Sequence, residues 1–341
     1  MNISGSYLII EQLQAFTTAG TLPVDRGCAN QPVAWRTGFT LQSSAHHVTI
    51  RHSLAFGNTA GIHVGRGAHH NRILHNELRD NVVLSRNTVG GDDDSGAWGI
   101  VLNGSDNVIA NNRFSNNFAW CSYDYGQEGA SIEIYEAQRN LIHHNVSIDD
   151  ATFIEVGSSR TRASQDNVIA YNTYTTGRPI AEFLVVHAGG SFGPTVRTEA
   201  YNNTVYLPHT DRTQGVVCHA GCGPDIMTLR NNVLVVGWKA LYADGAFNES
   251  NNLYWRPGGR TLVQFFGGSS MSSTSMIVDP GFVNPSLLDF RVQDRSPVIN
   301  AGTTIPVTFA ADANGQPVPQ GAAPDIGAHE FQGGFMAARA P

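Results

Sequence analysis

The chain is short of charge. Only 14% of its 341 residues are Asp, Glu, Lys or Arg, against about 25% in an average soluble domain. Lysine is nearly missing: Lys239 is the only one, and every other basic residue is Arg. This excludes long solvated helices, coiled coils and charge-rich disordered tails, which all need abundant Lys, Glu or Arg. No apolar run reaches the ~18–20 residues that span a bilayer, so no membrane span is expected. The net charge of −7 comes without a basic stripe and argues against a nucleic-acid partner. Residues 1–10 have no basic n-region and no cleavage site, and read as strand rather than signal peptide. Cysteine is scarce as well. Cys28 and Cys121 stand alone, while Cys218 and Cys222 enclose three residues. The close pair reads either as a small-loop disulfide or, with His219, as part of a metal site lacking a second ligand pair.

Glycine is plentiful at 36 residues, and Asn-Asn pairs recur along the chain. Polar, uncharged, Gly- and Asn-rich composition with scattered β-branched residues reads as strands and turns. A short pattern, apolar-x-x-Asn-x-apolar, organises it. Ile73-Leu74-His75-Asn76-Glu77-Leu78 is one copy and Ile109-Ala110-Asn111-Asn112-Arg113-Phe114 is the next. The pattern returns at Asn145, Asn172, Asn203 and Asn232, with Ser53 in an earlier copy and Asn252 ending a shortened one. The separations from Asn76 onward are 36, 33, 27, 31 and 29 residues. Helical repeats hold their length because each helix must pack on its neighbour. A parallel β-coil varies, because insertions go into loops between short strands stacked at ~4.8 Å. The repeating Asn residues are then expected to form hydrogen-bonded turn ladders, not ligand contacts. The pairs His46-His47, His69-His70 and His143-His144 fall near the same turns and read as turn chemistry.

The copies Asn107-Val108-Ile109-Ala110-Asn111-Asn112 and Asn167-Val168-Ile169-Ala170-Tyr171-Asn172 make the chain resemble the right-handed parallel β-helix (pectin-lyase-like) superfamily. The resemblance covers roughly residues 3–255. It implies an all-β, right-handed parallel β-helix (solenoid) of about eight coils. It also implies a secreted or cell-surface carbohydrate-active protein, expected to be a monomer with a polysaccharide partner. It says little about activity, since the fold carries polysaccharide lyases, glycoside hydrolases, uronan epimerases and non-catalytic surface proteins. Residues 256–331 are turn-rich and resemble the C-terminal capping segment of bacterial secreted β-helix proteins. Their expected role is to cover the last coil's open edge. Residues 332–341 read as a frayed tail. At the other end, residues 17–45 are expected to fold over the first coil, unless upstream sequence does so.

Strand alternation places the candidate chemistry. Ile62, Ile100, Ile132 and Ile154 should stack inside the coil, as should Val64, Leu102, Ile134 and Val156. His63, Val101, Glu133 and Glu155 between them form one outward column, putting Glu133 and Glu155 on adjacent rungs about 5 Å apart at the backbone. Val185 continues the column and His187 lies just past it. The feeding loops are acidic and aromatic: Asp92, Asp93, Asp94, Asp124 and Glu128, with Trp98, Trp120, Tyr123, Tyr125 and Tyr135.

Three chemistries remain open. Glu133 and Glu155, with Asp124 and Glu128 nearby, suit glycoside hydrolysis, in which one carboxyl is the acid and the other nucleophile or base. No cofactor is required for that, and the aromatic residues would stack on sugar rings. Alternatively Asp92, Asp93 and Asp94 supply oxygen ligands for Ca²⁺. The resemblance then implies a lyase or epimerase acting on uronates, with Arg160 or Arg162 as base and Tyr135 or His187 as proton donor. The third reading is a solvated acidic face on a glycan-binding or structural protein. Against it stands the cost of like charges on adjacent rungs.

Overall fold

The structure, a computed structural model, describes residues 1–16, 35–256, 262–265 and 271–333. Three long parallel sheets of ten, nine and ten strands run side by side, and each strand pairs with the equivalent strand of the next coil. The chain visits the sheets in strict rotation, which makes it a parallel β-helix. We number the sheets 1 to 3 in the order the chain visits them. Coil 5, for example, consists of Ala130–Tyr135, Leu141–His143 and Val146–Ile148. Nine coils are complete, and Val263–Phe265 with Met276–Ile277 add part of a tenth. About eight were expected from the Asn pattern. The first coil escaped it because Asn2–Ile3, Ile9–Glu11 and Gln14–Phe16 carry no Asn at the turn. Val263–Phe265 and Met276–Ile277 both fall within the segment 256–331.

The turns follow one local rule. A left-handed residue precedes a residue whose side chain enters the stack. His75, Asn111, His144, Tyr171, Asn202, Asn231 and Asn251 all have φ between 49° and 59°, and each stands directly before a ladder Asn. Asn and His enter this region more readily than most residues, which explains both the Asn-Asn and the His-His pairs. The expected ladder runs from Asn76 to Asn252, and each amide nitrogen donates to the next Asn Oδ1 at 2.8–3.0 Å. Two further ladders stand at the other corners. One links Asn71, Asn107, Asn140 and Asn167; the other links Asn58, Asn81, Asn117 and Asp150. Between the ladders the interior is filled by stacked Ile, Leu, Val and Phe, nearly all fully buried.

Cys218 and Cys222 form a disulfide, and among the described residues no metal cluster includes His219. Cys121 is also disulfide-bonded; Cys28 lies outside the described residues. Of residues 17–45, expected to cover the first coil, 17–34 also lie outside the described residues. Thr37–Leu41 forms a strand of coil 2 instead. The C-terminal segment runs along the flank of sheets 2 and 3. Phe282, Phe290, Val298 and Ile326 pack on Val233, Val235 and Leu253. Farther along, Ile305, Phe309 and Val318 pack on Ala170, Tyr171 and Tyr201. This leaves sheet 1 open.

Candidate functional site

The outer face of sheet 1 carries a cleft of about 660 Å³ over coils 4 to 8. Its floor has three columns of side chains. The middle column is the expected one: His63, Val101, Glu133, Glu155, Val185 and Val217 stand in register. A second column is Trp98, Ala130, Thr152, Glu182 and Gln214. The spacing of three between these columns breaks simple alternation. Two consecutive residues turn inward at this corner, such as Phe153 with Ile154 and Phe183 with Leu184. Asn103, Tyr135, Gly157 and His187 complete the floor.

Two inserted loops form one wall. Leu84–Arg86 and Ser95–Gly96 pair antiparallel and carry the Asp92-Asp93-Asp94 run between them. The loop before coil 5 lies against it: Tyr125 Oη donates to Asp92 Oδ1 at 2.6 Å, and Tyr123 N donates to Asn87 Oδ1 at 2.9 Å. Gln127 Nε2 donates to Ile180 O at 3.0 Å and so ties this loop across the cleft to coil 7. Phe192 stands on the opposite side, 5.5 Å from the His187 ring.

The structure brings together Glu133, Glu155, Glu128, Trp98, Tyr125, Tyr135, His187, Asp92, Asp93 and Asp94 in this cleft. Asp124, Trp120, Tyr123, Arg160 and Arg162 do not line it. Asp124 sits behind the wall, where its Oδ2 accepts from Asp93 N at 3.3 Å. Trp120 points to solvent, 72% exposed. Arg162 donates to Ser105 Oγ at 3.3 Å. The three Asp side chains have separate engagements. Asp92 accepts from Tyr125, Asp93 from Thr88, and Asp94 lies near Ser122 and Asp124. Among the described residues no three His, Cys, Asp or Glu side chains converge as metal ligands.

Sequence reasoning missed Glu182, Arg86, Arg212 and Gln214, all of which line the cleft. Glu182 was hidden by the double inward step. Ile180–His187 reads from the sequence as alternating around Val185, whereas its outward residues are three apart.

The carboxyl groups differ in environment. Burial, with the charges of Glu155 and Glu128, holds Glu133 well above the ordinary glutamate value. Burial, then Glu155 and Asp94, does the same to Glu128. Both side chains are only half-buried by area, yet protein walls surround their carboxyls. Burial also pushes Glu182 up to about 7, against the attraction of Arg212. Glu155 has a partner: His187 Nε2 is 2.7 Å from its Oε1. Burial alone would lower His187, but that hydrogen bond and the Glu155 charge outweigh it and raise the imidazole above 6.5. The cleft therefore holds a carboxyl that favours its proton, Glu133, on the rung beside one hydrogen-bonded to an imidazole that favours its own.

No protein-family model matches the sequence, and no characterised protein matches it in sequence. Solved structures match in shape. Pectate lyase Pel9A is 16% identical with a TM-score of 0.47, covering 87% of this chain and 73% of that one. A tailspike protein of E. coli bacteriophage HK620 is 12% identical with a TM-score of 0.45, covering 65% of this chain and 42% of that one. An alginate lyase from Paenibacillus sp. str. FPU-7 is 14% identical with a TM-score of 0.33, covering 74% of this chain and 87% of that one. All three are parallel β-helices, and by its own strand rotation and register this chain is one too.

Proposed function

We propose that this protein is a polysaccharide-degrading glycoside hydrolase, working on a glycan that lies in the sheet 1 cleft. The observation that carries the reading is the adjacent register of Glu133 and Glu155 in unlike environments. Glu133 keeps its proton and donates it to the departing glycosidic oxygen. Glu155, hydrogen-bonded to His187, attacks the anomeric carbon or activates a water; the separation of the two carboxyls with substrate bound selects between these routes. Raising one carboxyl by burial beside an ionised partner is how acid and nucleophile are divided between two like groups. Tyr125 and Tyr135 supply apolar faces for sugar rings. The lyase alternative assigned its base to Arg160 or Arg162, and neither reaches the cleft; Arg86 and Arg212 are the guanidinium groups that do.

Glu133→Gln and Glu155→Gln should each lower kcat by about 10²–10⁴-fold on a cleaved polysaccharide. Products should carry new reducing ends without unsaturated uronate absorbance. The high-pH limb should follow loss of the Glu133 and His187 protons, so activity falls as pH rises through their raised values. Full activity in both variants would sink the pair. Chelator-sensitive release of unsaturated product would establish the lyase instead.

A further inference from the structure

The cleft is far more acidic than the rest of this charge-poor chain. Seven carboxyl side chains line it, against the guanidinium groups of Arg86 and Arg212. Both Arg are already engaged electrostatically, Arg212 with Glu182 and Arg86 with Asp93. Even with His187 counted as a cation, carboxyl groups outnumber cationic groups seven to three.

Buried donors mark the same floor. Trp98 is 9% exposed and Gln214 is 5% exposed. Trp98 Nε1 and Gln214 Nε2 are buried with no hydrogen-bond partner among the described residues. Such donors cost free energy until a ligand or ordered water satisfies them. They belong to one column, four rungs apart, about 19 Å along the axis and the length of about four sugar units. Between them stand Glu182, Glu155 and Glu133. A bound chain would thus pass Trp98 and Gln214 at its ends and carboxyl groups in the middle.

A uronate chain would add carboxylates to a site where burial, and at Glu133 and Glu128 the neighbouring carboxylates as well, already disfavours negative charge. An ammonium group does the reverse, since it offsets the cost of ionising them. We infer that the glycan this cleft takes carries amino groups: an oligosaccharide of hexosamine units with free amines, spanning Trp98 to Gln214. The inference rests on the proposed use of the cleft for glycan but does not require hydrolysis.

The test uses the intact protein and three hexameric probes matched in length: glucosamine, N-acetylglucosamine and galacturonate. Calorimetry at about pH 6 keeps the sugar amine largely charged and lies below the value of about 7 to which Glu182 is raised. The glucosamine hexamer should bind about ten-fold or more tighter than the acetylated one, with the advantage shrinking in high salt. Its binding should release protons, read as a dependence of the measured heat on buffer ionisation enthalpy. Glu182→Gln should remove most of the advantage, and the salt series on the unaltered protein gives a readout independent of that variant's folding. Equal binding of both hexosamine probes, no binding of either, or preference for galacturonate with or without added Ca²⁺ would each overturn the inference. Selective amine binding without cleavage would uphold it while removing the hydrolase reading. Cleavage of a neutral polymer without amine preference would do the opposite.

Discussion

At the scale of single residues, this fold tolerates few ionised side chains inside, and Asp150 tests how few. It occupies the last described rung of the third ladder, where its Oδ1 accepts from Asn117 N at 2.7 Å and Asn117 Nδ2 at 3.1 Å. Ser147 Oγ donates to its other oxygen at 2.9 Å. Even so, burial raises its pKa from 3.8 to about 6. The sign follows from linkage: a raised carboxyl costs nothing below 3.8 and destabilises the fold as pH climbs through about 6. The full penalty is about 3 kcal/mol at 1.36 kcal/mol per unit. Asp150→Asn keeps the ladder's shape without the charge. Thermal melts from about pH 4 to about pH 7 should show the variant gaining on the parent across that window. A constant difference would mean that Asp150 stays neutral throughout or is already compensated.

At the scale of the coil, the Asn ladders carry the corners. Asn172 accepts from Asn145 N and Nδ2 and donates to Asn203 Oδ1 and Ile142 O, all within 2.9–3.1 Å. Asn172→Ala leaves the Asn145 N–H and the Ile142 carbonyl unpaired in the interior. A loss of about 2–4 kcal/mol is expected, read as a lower urea midpoint with unchanged slope. A loss under about 1 kcal/mol would show that water enters the corner and replaces the amide. This ladder was legible in the sequence because apolar residues flank each Asn at fixed offsets. The other two were not. Asn58, Asn81 and Asn117 follow a strand with no shared apolar frame, and Asp150 ends their ladder with a different residue. The Glu133–Glu155 register was legible for the same reason as the first ladder: Ile-Glu-Ile and Ile-Glu-Val each show one polar residue between two buried ones. Glu182 was not, because two inward residues follow it. The cleft walls were half legible. Tyr125 and the Asp run could be placed near sheet 1 from their position ahead of its strands. Which loop side chains turn inward, as Arg86 does and Trp120 does not, is set by loop packing that no periodicity records.

At the scale of the whole molecule, the open face and the covered flank have different chemistry. Sheet 1 faces outward with its carboxyl groups, whereas the C-terminal segment lies across sheets 2 and 3 and is held partly through histidines. His144 Nε2 meets Ala311 O at 3.0 Å, and the His143 ring lies 5.1 Å from Phe309. His329 is half-buried beside Thr173. Burial lowers both His143 and His329 to about 4, and the charges of Asp312 and Asp289 only partly oppose this at His329. A lowered histidine stabilises the folded form above about 6.5 and loses that contribution as pH falls through about 4. Asp325 and Glu330 act in the other direction, since burial raises both. Their oxygens accept from backbone N–H groups at Asn300, Phe331, Gln320 and Asp325, which limits what protonating them can gain. The histidines should therefore decide the outcome, and the segment should come away from the coils in acid before the coils themselves melt. Hydrogen exchange at about pH 4 should show residues 303–330 losing protection while sheets 1 to 3 keep theirs. At about pH 7 both should be protected. If segment and coils lose protection together, the flank is part of one cooperative unit, and these histidines report its stability rather than a local release.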